Sequence, residues 1–365
     1  MYCKRNILLV INSDLINAGV PNVVMTIVRN LSEKFTFDII TYHSKKGQYD
    51  AEFESYGGKI FRLSLLDYSK HKILYPFRRV QIKRFMRHIL KDNKYDVIHC
   101  HNGIESGVFL ECAKKKGIPI RISHAHGTYI RKGNNKILLR YYSRCKELIK
   151  QNSTHALACS NKAGNSLFIS GNFVNVLNPI DVSLYRGLVK NPHNGCNLLQ
   201  IGYFSQNKNQ LFSIKLLKSL LDEKMDVRLT FIGFPQEEEY YNQMLKTIDD
   251  AYIKESVRFL PRDADKAEVF KETDIVLLPS FTEGLPLVAL EAQSARVPCI
   301  LSDHVSEDAN IGLAYYAKYD DIEEWKTTVR KAYNDKNNAD TRGVNTDMIE
   351  INGWCDRIGA TYNEQ

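Results

Sequence analysis

Two carboxylates, Glu283 and Glu291, stand in the segment PSFTEGLPLVALEAQSARVPCILSD, residues 279–303. The stretch before them, DIVLLPS, has the apolar run of a buried strand. Pro286 suits the first turn of a helix, which LVALEAQSA continues. Free N–H groups near Gly284 and Leu285, at such a helix start, attract phosphate. Glu283 then lies just before the helix and Glu291 about two turns inside it. One carboxylate can reach a group beside the phosphates, the other a group further along the same ligand. Carboxylates accept hydrogen bonds from hydroxyls, so sugar or ribose hydroxyls are fitting partners. Taken singly, the two residues also suit a plain structural role, an acid favouring the helix dipole and a surface glutamate. Two histidine pairs end other strand-like runs: His124 and His126 in RISHAHGTY, and His99 and His101 in IHCHNG. Strand alternation puts both members of each pair on one side. The eight cysteines form no CxxC pair, which points to buried free thiols in a reducing compartment and away from a zinc site.

The elements that must position these residues alternate along the chain. NILLVI, FDIITY, YDVIHCH, IRISHA and HALACS read as strands in the first half, with helical stretches between most of them; PNVVMTIVRNLSEKF, after Gly19, has helical periodicity. NLLQIGYF, VRLTFIGF, VRFLP, DIVLLPS and VPCILSD repeat the order in the second half. A βαβα order implies an α/β fold with mainly parallel sheets and helices on both faces, and 365 residues suit two such doubly wound units. A turn at Asn178-Pro179-Ile180-Asp181 and the polar stretch VKNPHNGCN mark the boundary region. In open parallel sheets ligands bind beyond the C-terminal strand ends, which is where the candidate residues fall.

The segment FTEGLPLVALEAQSARVPCI, with Glu283 and Glu291 in an E-x7-E pattern, resembles the retaining glycosyltransferases of family 4. The resemblance extends over nearly the whole chain. It implies the GT-B fold, two Rossmann-like domains facing across a cleft. The expected domains are residues 1–185 on the acceptor side, 186–345 binding a nucleotide sugar, and 346–365 as a C-terminal helix crossing back to the first domain. By the resemblance, Glu283 contacts donor-sugar hydroxyls near the reacting centre and Glu291 binds the nucleotide ribose. IGYFSQNKNQ looks like the family's G-R-F-S-x-x-K-N loop, so Lys208 matches the lysine that neutralises the donor diphosphate, and Tyr203 stands where the family usually has arginine. The backbone from Leu260 to Arg262 is the implied base-reading edge, and Gly284 and Leu285 offer amides to the diphosphate. Ala18-Gly19 looks like the family's Gly-Gly loop, with Gly19 allowing close approach of a ligand. His126, with His124 as second choice, matches a donor-facing histidine, and His99 and His101 fall nearby. Asp263-Ala264-Asp265 reads as a helix-start loop with capping carboxylates rather than a metal motif, and no metal or cofactor is expected beyond a UDP- or GDP-linked donor substrate.

Composition narrows the function classes. At 44% hydrophobic and 25% charged the chain is an ordinary globular one, and no run of about 18 apolar residues marks a membrane span. Residues 1–180 hold 29 Lys+Arg against 12 Asp+Glu, while residues 181–365 hold 21 against 30. Residues 69–91 carry eight of the basic side chains and no acid, with Ile82, Phe85, Met86 and Ile89 as an apolar helical stripe. Such a helix can pack on the sheet with a solvated face, or dock on anionic lipid at the inner face of the plasma membrane. No nucleic-acid-binding module is visible. The expected function is cytoplasmic transfer of a sugar to a glycan or lipid-linked acceptor in surface polysaccharide or glycolipid assembly. A nucleotide-sugar epimerase and a non-catalytic sugar-nucleotide-binding protein of the same fold are the alternatives. A nicotinamide oxidoreductase is disfavoured, because no G-x-G-x-x-G follows any strand.

Overall fold

The computed structural model describes residues 4–42, 45–65, 75–128, 135–169, 171–335 and 343–364. The chain forms two units, one of residues 1–179 with 351–365 and the other of residues 180–350. The division falls between Pro179 and Ile180, so residues 180–185 go with the second unit rather than the first. Ile180 donates its N–H to the Ile349 carbonyl at 2.9 Å, which ties both ends of that unit together.

The first unit holds strands β1 (Arg5–Val10), β2 (Phe35–Tyr42), β3 (Ile60–Leu63), β4 (Val97–Cys100), β5 (Ile120–Ala125), β6 (His155–Ala158) and β7 (Val174–Asn175). They form one sheet in the order β3-β2-β1-β4-β5-β6-β7, parallel throughout. Helices α1 (Gly19–Leu31), α2 (Asp50–Ser55), α3 (Phe77–Asp92), α4 (Ser106–Lys115), α5 (Lys136–Asn152) and α6 (Asn161–Leu167) connect them. β1 reads as a continuous apolar run because helices cover both its faces. Its Ile7 and Leu9 pack with Val24, Ile27 and Val28 of α1 in one core.

The second unit holds β8 (Cys196–Ile201), β9 (Val227–Ile232), β10 (Val257–Leu260), β11 (Ile275–Leu278), β12 (Cys299–Ser302) and β13 (Ala314–Ala317), in the order β10-β9-β8-β11-β12-β13. Its helices are α7 (Gln210–Asp222), α8 (Glu238–Asp250), α9 (Lys266–Glu272), α10 (Leu287–Ser294) and α11 (Ile322–Asp335). The last helix, α12 (Ile351–Asn363), returns to the first unit. There Trp354, Ile358 and Tyr362 are buried in the core, and the Tyr362 ring stands edge-on to Phe35 with centroids 5.4 Å apart.

In both sheets the strand order reverses beside the first strand of the unit: between β1 and β4, and between β8 and β11. In open sheets of this kind the usual ligand position is at the carboxyl end, beside such a reversal.

Candidate active site

Lys208 and Glu283 come from the two loops that flank the reversal point of the second sheet. β11 is buried along its length and delivers the chain to Pro279-Ser280 at the strand's carboxyl end. The two loops are stitched by Asn207, whose carbonyl accepts from Phe281 N–H at 2.8 Å and whose amide donates to the Thr282 carbonyl at 3.1 Å. Lys208 Nζ then meets Glu283 Oε1 at 2.5 Å, both side chains mostly buried. The lysine stem lies on Gly202, where φ is +153°; a Cβ there would sit 3.3 Å from Lys208 Cε. Glycine at 202 accepts this backbone conformation and leaves room for the Lys208 stem across it. Gln200 and Gln210 hold the loop from its flanks, donating to the Lys208 and Tyr203 carbonyls at 2.7 and 2.8 Å.

α10 begins at Leu287, with Pro286 as an extended N-cap and no side-chain cap, so Gly284 and Leu285 precede the helix instead of opening it. Glu291 falls in the second turn and is buried. Lys266 pairs with its Oε1, while Oε2 is buried without a partner. An unpartnered buried carboxylate oxygen is costly and is relieved by a hydroxyl donor. Tyr185 also borders this carboxylate; burial first, then the Glu291 charge and the approach of the phenol to the Glu291 side chain, lift its pKa far above the ordinary range. Lys266 was not singled out from the sequence. The available signal is its position: a lysine opening α9 opposes the helix dipole and calls for an acid to face it.

Tyr203 and Arg262 meet on a third residue, Phe234. The Tyr203 ring stands edge-on to it at 4.9 Å and the Arg262 guanidinium lies over it at 4.9 Å. The Leu260 carbonyl accepts from Gly233 N–H at 3.4 Å, so this backbone edge is partly engaged. Asp265 caps α9, accepting from Ala267 N–H at 2.9 Å, while Asp263 is exposed.

Gly19 and His126 belong to the first unit. Gly19 opens α1 behind an uncapped Ala18, and a Cβ at Gly19 would meet nothing within 4 Å. Nothing in the chain itself requires glycine there. His99, His101, His124 and His126 stack at the carboxyl ends of β4 and β5, with His99 and His124 rings parallel to within 1°. Tyr362 Oη lies 2.8 Å from His99 Nδ1, and His99 Nε2 lies 3.2 Å from His124 Nδ1. In the second pair His101 Nδ1 lies 2.7 Å from His126 Nε2, and His126 Nδ1 lies 3.1 Å from Asn178 Oδ1. Both nitrogens of His126 are thus engaged within the unit, while Nε2 of His101 and of His124 is buried and unpartnered. Of the pair 124 and 126, His126 alone is partly exposed. Burial lowers all four pKa values, that of His126 to about 4 despite its bond to Asn178, so the rings are neutral at pH 7. Nitrogens of His99, His101 and His124 lie within 4.8 Å of one another, a spacing that a metal ion could use.

A cavity of about 320 Å³ opens at the carboxyl edge of the first sheet, lined by Asn12 after β1, Asn102 after β4, and Tyr75, Arg78, Glu105 and Tyr142. Glu105 forms the fixed part of its wall. It takes a bidentate pair from Arg78 at 2.7 and 2.9 Å and hydrogen bonds from the Tyr42 and Tyr141 hydroxyls at 3.0 and 2.7 Å.

The basic helix α3 corrects one expectation, that its polar face is wholly free. Arg78 is bound to Glu105, and Arg79 and Lys83 both pair with Glu111 of α4. Burial pushes Glu111 up, but hydrogen bonds from Lys83, Lys115 and Arg79 outweigh it and hold the carboxyl down at about 2. Phe77, Val80, Arg84, Arg87 and Lys91 remain exposed, on one stripe at three- and four-residue spacing. Residues 69–74 of the basic segment, and Cys3, lie outside the described residues. The other seven cysteines are free thiols. Among the described residues no helix is long and apolar enough to cross a membrane.

The chain, with its two parallel α/β units, is a nucleotide-sugar-dependent glycosyltransferase of the GT-B type. Residues 18–168 match the family described as Glycosyltransferase Family 4 and residues 189–346 the family described as Glycosyl transferases group 1, and the chain belongs to this group. EpsF of Bacillus subtilis, named as a glycosyltransferase, is 29% identical over 88% of this chain and 86% of its own. The capsular polysaccharide biosynthesis glycosyltransferase CapH of Staphylococcus aureus is 24% identical over 90% and 93%. Among solved structures, HepE of Anabaena in complex with UDP superposes with a TM-score of 0.75 at 14% identity, over 98% of this chain and 99% of that one.

Proposed function

We propose that the chain transfers a hexose from a UDP-linked donor to a lipid-linked glycan, with retention and without a metal ion. The observation that carries this reading is the arrangement in the second unit: Lys208 against Glu283, and Glu291 with one oxygen on Lys266 and the other buried and unpartnered. The orphaned Glu291 oxygen suits a ribose hydroxyl. Glu283 suits the donor sugar, and Lys208, with the amides around Gly284 and Leu285, suits the diphosphate between them. In transfer, the bond from the anomeric carbon to the diphosphate oxygen breaks and the acceptor oxygen takes its place. The acceptor's proton leaves with the phosphate. Charge grows on the departing diphosphate, where a fixed cation lowers the barrier. UDP as the nucleotide follows the UDP-bound HepE structure and an Escherichia coli relative, 23% identical over 59% of each chain, named as a UDP-Gal:alpha-D-GlcNAc-diphosphoundecaprenol alpha-1,3-galactosyltransferase.

In the first unit, Gly19 leaves the start of α1 open to a ligand, and His126 is the partly exposed ring of the histidine stack. The acceptor sugar takes the cavity beside Tyr75 and Tyr142, where aromatic faces and amides suit a pyranose ring. The stripe from Phe77 to Lys91 docks on anionic lipid, which brings the enzyme to a lipid-linked acceptor. The test is UDP release from UDP-hexoses in the presence of a diphospholipid-linked acceptor. Transfer in excess EDTA supports the reading. Loss of activity with rescue by a divalent ion would overturn metal independence, and variants of Asp263 and of His101 would then tell the acidic loop from the histidine stack.

A further inference from the structure

The second unit leaves a charge deficit for the donor that the proposed function requires. A diphosphate brings several negative oxygens, yet Lys208 already faces Glu283 and Lys266 already faces Glu291. Arg262, two residues past β10, is exposed, and among the described residues no carboxylate pairs with it. Among the described residues its guanidinium is held by the Phe234 ring, which Tyr203 braces from the edge.

These residues lie along one continuous rim. Gly202 donates its N–H to the Ile232 carbonyl at 2.9 Å, Phe204 to the Phe234 carbonyl at 2.9 Å, and Gly233 to the Leu260 carbonyl at 3.4 Å. Gly233 packs so closely that a Cβ there would come 2.0 Å from the Gly202 carbonyl oxygen. Lys208 lies on Gly202. Lys208, Tyr203, Phe234 and Arg262 therefore follow one another across the carboxyl ends of β8, β9 and β10.

We infer that Arg262 is the second cation of the donor diphosphate site. Phe234 and Tyr203 form an aromatic shelf that carries its guanidinium to the phosphates. The tyrosine at 203 supplies no charge, and the arginine supplies it from the neighbouring loop. A guanidinium forks to two phosphate oxygens, which a lysine at 262 would not reproduce.

The inference rests on the donor reading, and one set of titrations separates the two. UDP, UMP and uridine are titrated calorimetrically into the full chain, into Arg262→Gln and Arg262→Lys, and into Arg262→Gln with Tyr203→Arg. Arg262→Gln should weaken UDP roughly tenfold, the loss of about one charge-assisted hydrogen bond, weaken UMP less and leave uridine unchanged. Arg262→Lys should recover only part of the UDP affinity, and Tyr203→Arg should restore most of it. The Arg262→Gln deficit should shrink as salt rises. Equal losses for UDP, UMP and uridine would show that Arg262 stacks on the base, and no loss would show that it stands outside the site; either overturns the inference. A wild-type chain that bound none of the three would overturn the donor reading itself. Arg262 is exposed, so an unchanged melting temperature in the variants keeps the comparison clean.

Discussion

Glu283 and Glu291 differ in what surrounds them, and so should their variants. Glu283 pairs with Lys208, so Glu283→Gln should lower turnover of the intact donor far more than UDP affinity. Steady-state kinetics beside a UDP titration separates the two, and an equal fall in both would place Glu283 on the nucleotide instead. The histidine stack makes a pH prediction. Its four imidazoles have folded pKa values below the unfolded value of about 6.5, His126 at about 4. The unfolded chain binds those protons first, so stability is intact above pH 6.5 and is lost as pH falls from there towards 4. Each withheld proton steepens the loss by up to about 1.4 kcal/mol per pH unit. Denaturant melts from pH 7 to 4.5 should show a slope that His101→Asn reduces; a flat profile would mean the rings protonate in place. At this scale the sequence was partly legible. Glu283 and Glu291 stood out through the E-x7-E resemblance, and the two histidine pairs through strand alternation. Lys266 and Phe234 were not, because each acts through a partner on another loop. Nor was the meeting of the two histidine pairs, because β4–β5 register is absent from local pattern.

Continuous apolar strands and their following loops were readable as elements because central parallel strands are buried on both faces. β3, β7 and β13 escaped that reading. They lie at or near sheet edges and are half-exposed or very short, so they lack the apolar run. α3 shows the opposite limit: its basic composition was plain, but which cations are free depends on Glu105 and Glu111 in and beside α4. Changing Arg84, Arg87 and Lys91 to Gln should abolish binding to anionic liposomes, since each contributes about 1 kcal/mol at such a surface. Arg79→Gln should instead lower the melting temperature through Glu111. Sedimentation with anionic and neutral vesicles checks this, and equal binding to both would rule out the stripe as a docking face. In α12, Tyr362→Phe strips the partner from buried His99 Nδ1 and should cost about 1–3 kcal/mol of stability.

Across the whole molecule the chain runs through one unit, builds the other, and returns. The second unit is continuous, residues 180–350, whereas the first depends on α12 for Trp354, Ile358 and Tyr362 of its core. A chain stopped at Glu350 should lose the first unit's cooperative unfolding and keep nucleotide binding, because Lys208, Glu283 and Glu291 all lie in the continuous unit. Full retention of both transitions would show that α12 is dispensable. The central claim is that the second unit holds a nucleotide diphosphate between Lys208 and Glu291. Its most direct test is a calorimetric titration of UDP into the full chain, Lys208→Met and Glu291→Ala. Saturable binding should weaken in each variant by about 1–3 kcal/mol. No binding by the full chain, or unchanged affinity in both variants, would contradict it.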